Sequence, residues 1–251
     1  MTQRLDAALT ERGLCSTRTR AQASIEAGHV TVNGTVCMKA SRKVDDTDEL
    51  RLTEELPFVG RGGYKLRYAL AEFQITLNGL RCLDIGASTG GFTDCMLQNG
   101  AAAVLAVDVG HDQLAEALRN DPRVTAMEGT DLRQLSPETH GLPAQFAACD
   151  VSFISLTQIL PFLPPLLAPG AFAVVLVKPQ FEAGKSALNK HGVVRDPKIR
   201  ARVLENIRAA AAAAGLTPLQ DCESPVKGGS GNTEFLLLLQ NAAPQRKGES
   251  A

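Results

Sequence analysis

The sequence predicts an α/β protein: a Rossmann-like, doubly wound, mainly parallel sheet that ends in an antiparallel C-terminal hairpin, preceded by a small α+β domain. Three observations predict it. Beyond residue 80, short apolar runs alternate with helical stretches, the pattern of parallel strands joined by crossover helices. The last two apolar runs, around 218–226 and 233–240, are joined by a short glycine-rich link with no room for a crossover, so they pair antiparallel. The first ~55 residues follow another pattern, two helical stretches and then short strands about an Asn-Gly pair.

In residues 4–14, RLDAALTERGL, the side chains of Leu5, Ala8, Leu9 and Leu14 fall near one helical face, and Gly13 supplies a stop. A second helix starts near Thr17 and runs to Gly28. HVTVNGTVC then alternates around Asn33-Gly34, a tight-hairpin signal, and DELRLT adds a third strand after the acidic run Asp45, Asp46, Asp48 and Glu49. Residues 1–56 form this first domain, and 57–63, punctuated by Pro57, Gly60, Gly62 and Gly63, form a linker. The second domain spans 64–241. Its strands and helices read in pairs: LRCLDIG with GFTDCMLQNG, AAVLAVDVG with HDQLAEALR, then VTAMEG, QFAACDVSF with LTQILPFLPPLL, and AFAVVLVKP with PKIRARVLENIRAAAAAAG. Residues 242–251, AAPQRKGESA, have the composition of a flexible tail.

At 44% hydrophobic residues, the 251-residue chain can build its cores without staples. Its 26 basic and 27 acidic residues leave a formal charge of −1, so net charge alone would not bind nucleic acid and any such surface is a local patch. The six cysteines, Cys15, Cys37, Cys82, Cys95, Cys149 and Cys222, are scattered, with no C-x-x-C pair, and read as reduced thiols. The four histidines share no metal-ligand spacing, and no metal is expected. MTQRLDAALTERG is charged from its fourth residue and lacks the apolar core of a secretory signal. The best apolar window, AFAVVLV at 171–177, has strand length, well short of a membrane span. The expected compartment is the cytoplasm, with no membrane partner.

The chemistry concentrates at strand ends. In LDIGASTGGF a buried strand runs into Gly86, Gly90 and Gly91 and then a helix, so backbone can approach an adenosyl ligand closely. Asp84, Gly86, Ala87, Ser88, Thr89, Gly90, Gly91 and Phe92 make up this candidate loop. Its G-x-x-x-G-G spacing differs from the dinucleotide G-x-G-x-x-G and argues against a nicotinamide oxidoreductase. Asp108 ends the next strand, 22 residues after Gly86, where a carboxylate accepts from both ribose hydroxyls. A glycine cluster alone serves a tight turn equally well; the placement of Asp108 favours the adenosyl reading. Asp131, in MEGTDLRQL, suits an adenine amino group or a helix cap. Gly184-Lys185-Ser186 resembles the end of a phosphate loop, but the first glycine of that motif would fall at Pro179.

Four ionisable residues stand where solvated charges are not expected. Lys178 and Asp150 terminate apolar strands, Lys65 follows a double glycine, and Glu234 opens the last strand in GNTEF. Charges at the carboxyl ends of central parallel strands face the ligand crevice. Phe153 and Phe181 read as core packing before they read as base-stacking platforms.

On these residues the chain resembles the TlyA or haemolysin A family, ribosomal RNA ribose 2'-O-methyltransferases related to FtsJ. The likeness runs through GRGGYKL at 60–66, LDIGASTGGFTD at 83–94, CDVSFISL at 149–156, VKPQFEAGK at 177–185, HGVVRD at 191–196 and SPVKGGSGNTEFL at 224–236. It implies S-adenosyl-L-methionine as cofactor, ribosomal RNA or ribosomal subunits as partner, cytidine ribose as target, and a catalytic tetrad at Lys65, Asp150, Lys178 and Glu234. The first domain resembles the small αL-type RNA-binding domain of a ribosomal protein, through RLDAAL, TRTRAQASIEAGHVTVNG and DDTDEL. Arg4, Arg18, Arg20, Lys39, Arg42 and Lys43 are then its phosphate-facing candidates, although this block holds eight basic against nine acidic residues.

Within that resemblance Lys178 is the general base, Lys65 its cationic neighbour, Asp150 the group that orients Lys178, and Glu234 the holder of Lys65 or the ribose. A lysine acts as a base only as the neutral amine, which burial and a second ammonium favour. Two further readings are a membrane-active haemolysin, which lacks any spanning segment or extended run of amphipathic strands, and a noncatalytic RNA-binding assembly factor, against which the intact tetrad argues.

Overall fold

The computed structural model describes residues 2–140, 142–228 and 230–242, so the expected tail lies outside the described residues except for Ala242. The chain divides into two compact units, one up to Arg61 and one from Gly62 onward.

The first unit comprises β1 (Gln3–Arg4), α1 (Leu5–Glu11), α2 (Arg18–Glu26), β2 (Val30–Val32), β3 (Thr35–Val36), β4 (Lys43–Val44) and β5 (Leu50–Leu52). Thr17 caps α2, its hydroxyl accepting from the Arg20 N–H at 3.1 Å. Asn33 and Gly34 take φ of 52° and 77°, which a two-residue turn of hairpin hand requires at both positions, and they link β2 to β3. These strands and β5 form a three-stranded sheet in the order β3-β2-β5. Arg4, expected inside the first helix, is instead extended, because β1 pairs antiparallel with β4 and sets Arg4 opposite Lys43. Leu5, Leu9, Ile25, Val30, Val32 and Val44 close a core of their own.

The second unit comprises α3 (Gly62–Glu72), β6 (Arg81–Ile85), α4 (Gly91–Gln98), β7 (Ala103–Val107), α5 (Glu116–Arg119), β8 (Val124–Met127), α6 (Pro137–His140), β9 (Ala144–Cys149), β10 (Leu167–Val177), α7 (Pro179–Glu182), α8 (Pro197–Ala213), β11 (Leu216–Glu223) and β12 (Phe235–Asn241). Seven strands form one sheet in the order β11-β12-β10-β9-β6-β7-β8. The strands from β6 to β10 run parallel, while β12 pairs antiparallel with β10 on one side and β11 on the other. The closing hairpin therefore inverts spatial order, with the last strand inside and β11 at the edge. The strand order turns back between β6 and β9, which places a ligand crevice beyond their carboxyl ends.

Two expected helices are reduced. LTQILPFLPPLL forms three successive 3-10 turns, Leu156–Gln158, Leu160–Phe162 and Pro164–Leu166, because Pro161, Pro164 and Pro165 each remove a backbone donor. Asn241 serves carbonyls around this run, donating to those of Pro164, Leu167 and Ala168. HDQLAEALR yields only the single turn α5. The sheet interior is nearly dry: Ala173 to Val177 are at most 1% exposed, and burial pushes the thiols of Cys82, Cys95 and Cys149 up to about 12.

Candidate functional site

Strand register brings the polar residues to one edge. Val107, Ile85 and Cys149 lie in line across β7, β6 and β9. The next residues, Asp108, Gly86 and Asp150, therefore stand side by side at the carboxyl edge of the sheet. Lys178 follows the end of β10. Because β12 runs the other way, with Phe235 opposite Val177, the residue before it, Glu234, arrives at the same edge.

At this edge lies a cleft of about 460 Å³. Of the expected cofactor residues, Gly86, Ser88, Asp108 and Asp131 line it, and Asp150 does as well. Gly86 has φ of 80°, and a Cβ there would lie 2.5 Å from the Asp150 carbonyl oxygen, so only glycine lets the two strand ends meet. Asp108 is fixed by two loop N–H groups: Ser88 donates to Oδ2 at 2.8 Å and Gly110 to Oδ1 at 2.7 Å. Each oxygen keeps a lone pair for another donor.

The remaining expected loop residues, Asp84, Ala87, Thr89, Gly90, Gly91 and Phe92, do not line the cleft. Asp84 is fully buried in β6 and accepts from the Thr93 hydroxyl at 2.6 Å, tying the strand to α4. Desolvation raises its carboxyl to about 7, against the lowering effect of Thr93. Gly90 has φ of 94°, and a Cβ would lie 2.2 Å from Leu118. Phe92 packs beneath Gly62. Asp131 caps the Leu132–Gln134 turn and is gripped by Arg133, whose hydrogen bonds hold the carboxyl down at about 2. Its adenine role from the sequence therefore competes with a cap already in place.

The four strand-end ions form two pairs. Lys178 Nζ lies 2.6 Å from Asp150 Oδ1 and donates to Ser152 Oγ at 2.7 Å. Lys65 Nζ, from α3, donates to Glu234 Oε2 at 2.6 Å. Both lysines are 8% exposed and Glu234 is 2% exposed, so the second pair is shut away from water. The segment before Glu234 is held by Asn232, which accepts from the Val194 N–H and donates to the Gly192 carbonyl, both at 3.0 Å. Glu182 of α7 accepts from the Leu156 N–H at 2.8 Å and from Ser155, locking the loop that carries Asp150 and Ser152 to the helix that follows Lys178.

In the first unit, Asp6 is fully buried and gathers cations. Arg4 donates to both of its oxygens at 2.9 Å, Arg18 at 3.1 Å and Gln22 at 2.6 Å. These bonds, that to Arg4 foremost, hold the carboxyl far below the usual range. Lys43 faces Arg4 across the β1–β4 ladder, and the Arg42 carbonyl accepts from the Leu5 N–H. Lys39 and Lys43 are exposed. Arg20 is turned elsewhere, toward the carbonyls of Leu56 and Phe58 at 3.3 Å.

Several site residues were not singled out by the sequence. Ser152 and Gln180 touch the tetrad, and Gln113 and Thr130 line the cleft. Nothing marks them, since polar residues in loops after strands are common. Phe153 departs from the core reading: it is 91% exposed, takes φ of 65°, lines the cleft and meets the Phe181 ring at 5.1 Å. Left-handed backbone is rare for a bulky residue, and strain of this kind clusters at active sites and ligand clamps.

Residues 58–241 match the model of FtsJ-like methyltransferases, and residues 3–50 match that of the S4 domain. The chain is 48% identical to the Bacillus subtilis protein YqxC, over 98% of this chain and 89% of that protein. It is 45% identical to the Mycobacterium tuberculosis protein named 16S/23S rRNA (cytidine-2'-O)-methyltransferase TlyA, over 94% of this chain and 89% of that one. The solved structure of a hemolysin-named protein from Streptococcus thermophilus superposes with a TM-score of 0.76 at 45% identity, covering 96% of this chain and 89% of that one. Among the described residues, no helix is long and apolar enough to cross a membrane.

Proposed function

The chain belongs to the FtsJ-like methyltransferase family, and from that premise we propose that it transfers a methyl group from S-adenosyl-L-methionine to a cytidine ribose 2'-hydroxyl of large-subunit and small-subunit ribosomal RNA, in the cytoplasm. One observation carries the reading: a buried lysine is held by Asp150 and Ser152, which both line a cleft that the fixed carboxylate of Asp108 also lines.

The residues present fit the cofactor. A cleft of about 460 Å³ lies within the roughly 300–1,000 Å³ of small-molecule sites. Gly86 allows close backbone approach, and Asp108 offers two prepositioned oxygens to vicinal hydroxyls. When bound, S-adenosyl-L-methionine supplies an electrophilic methyl carried on a sulfonium. The protein's task is to align the ribose oxygen and take its proton.

Lys178 is placed for the proton. Its Nζ donates to Ser152 and lies 2.6 Å from Asp150 Oδ1, and these two contacts hold the amine in place. As the neutral amine it would take the proton of the 2'-hydroxyl on its lone pair. Lys65, pinned by Glu234, contributes a buried ammonium that stabilises anionic charge developing at the reacting oxygen. The exposed ring of Phe153 is offered to the base of the target nucleotide. In the S4 unit, Arg4, Arg18 and Lys43 face the phosphates of the same RNA, and Asp6 sets the two arginines.

Incubating ribosomal subunits with protein and S-adenosylmethionine, then digesting the RNA and separating nucleosides by mass spectrometry, tests this. The expected product is 2'-O-methylcytidine. Methyl groups found only on bases, or none, would remove the proposed reaction.

A further inference from the structure

A further side chain joins the Lys65–Glu234 pair. Gln180 stands two residues beyond Lys178, in α7, and its Nε2 donates to Glu234 Oε1 at 3.1 Å while Lys65 donates to Oε2. Each carboxylate oxygen of Glu234 thus has a separate donor. The amide can only point one way, since the reverse would set its carbonyl against a carboxylate oxygen, acceptor facing acceptor. Gly228 makes the contact possible: a Cβ there would lie 2.4 Å from Glu234 Oε1 and 3.5 Å from Gln180 Nε2. At the far end of the amide, Oε1 is buried and has no donor among the described residues. A buried acceptor is costly unless a water or another donor completes it.

We propose that Gln180 is a positioning residue for methyl transfer: its amide N–H holds one oxygen of the Glu234 carboxylate, so that the other is fixed for Lys65. The proposal rests on the function inferred above. It gives the KPQ segment two tasks, with Lys178 taking the proton and Gln180 setting the other ion pair. It also explains why Gly228, seven residues before β12 begins at Phe235, stands where a side chain would displace the carboxylate.

Full-length Gln180→Leu and Gln180→Glu proteins test it, assayed on ribosomal subunits with tritiated S-adenosylmethionine from about pH 6 to pH 9. Calorimetric cofactor affinity and melting temperature serve as controls. Leucine removes donor and acceptor together, so kcat should fall ~10- to 100-fold at every pH, with cofactor affinity within about twofold of wild type. Glutamate keeps the shape. Two carboxylates in contact hold a proton between them at low pH, and that O–H then replaces the missing N–H. Lys65 and Lys178, the cations facing this cluster, favour the doubly ionised form as pH rises, and Asp150 opposes it. The ratio of Gln180→Glu to wild-type activity should therefore climb as pH falls, a response that loss of packing would not produce. Should the leucine variant fail to fold, the glutamate ratio decides. A leucine variant with wild-type kcat, or a glutamate ratio flat across the pH range, would overturn the proposal while leaving the function standing. No methylation by the wild-type protein would overturn both.

Discussion

The two units use the same ingredients, basic side chains bonded to carboxylates, in opposite geometry. In the S4 unit the carboxylate is inside: Asp6 has no exposed surface, while the side chains of Arg4 and Arg18 remain 38% and 54% exposed. In the catalytic unit the cations are inside: the side chains of Lys65 and Lys178 are each 10% exposed. A guanidinium anchored from below keeps its remaining donors for phosphate oxygens, and it stays charged at every working pH. On the proposed function, the ammonium groups drawn under the surface serve the chemistry instead. On that reading, exposure more than residue type separates gripping from chemistry in this chain.

Breaking the catalytic side should have the largest effect. Lys178→Ala is expected to lower methyl transfer by ~10³-fold or more while S-adenosylmethionine affinity stays within a few-fold, because the amine acts on RNA. A tritiated-methyl assay and calorimetry check it, and turnover near the wild-type rate would remove Lys178 from the mechanism. Next comes the gripping side. Deleting residues 1–56 should leave a folded protein that binds cofactor, since the seven-stranded sheet has its own core, but should lower kcat/KM on ribosomal subunits ~100-fold through lost local concentration. In the full-length protein, RNA binding should weaken steeply with salt as counterions are released.

Asp108→Ala sharpens the comparison within the catalytic unit. Losing two charge-assisted bonds to a ribose should weaken cofactor binding by about 1.5–3 kcal/mol without changing the chemistry of bound substrate. Unchanged affinity would reduce Asp108 to a loop anchor for Ser88 and Gly110.

The smallest expected effect is on the stability of the S4 unit. The Asp6 carboxyl is depressed in the folded state, so its contribution is present above the unfolded value near pH ~4 and is lost as pH falls through the folded value. Asp6→Asn should therefore cost about 1–2 kcal/mol at neutral pH, and the gap to wild type should close in strong acid. Denaturant melts at several pH values would show it, and a gap independent of pH would mean that size and not charge matters at this position.

Legibility in the sequence followed periodicity and glycine chemistry. The strand-to-glycine transition at Ile85 and Gly86, the Asn33-Gly34 turn and the isolated charges at Asp150, Lys178 and Glu234 stand out because each violates its local pattern. The β1–β4 ladder does not, since two-residue strands carry no period, and the 3-10 run from Leu156 to Leu166 keeps an apolar helical look that its prolines defeat. The insertion of β12 between β10 and β11 was equally hidden, because chain order does not state spatial order. Pairing choices within the tetrad, and the companions Ser152 and Gln180, depend on side-chain direction at loop positions, where sequence offers little constraint.

The most direct test of the division between gripping and chemistry is the methylation rate of the 1–56 deletion and of Lys178→Ala as ribosomal subunit concentration is raised to saturation. If the S4 unit only grips, the deletion protein should climb toward the full-length kcat at high RNA concentration, while Lys178→Ala stays inactive throughout. A deletion protein that remains inactive at saturating RNA, or a Lys178→Ala protein that recovers there, would contradict the account.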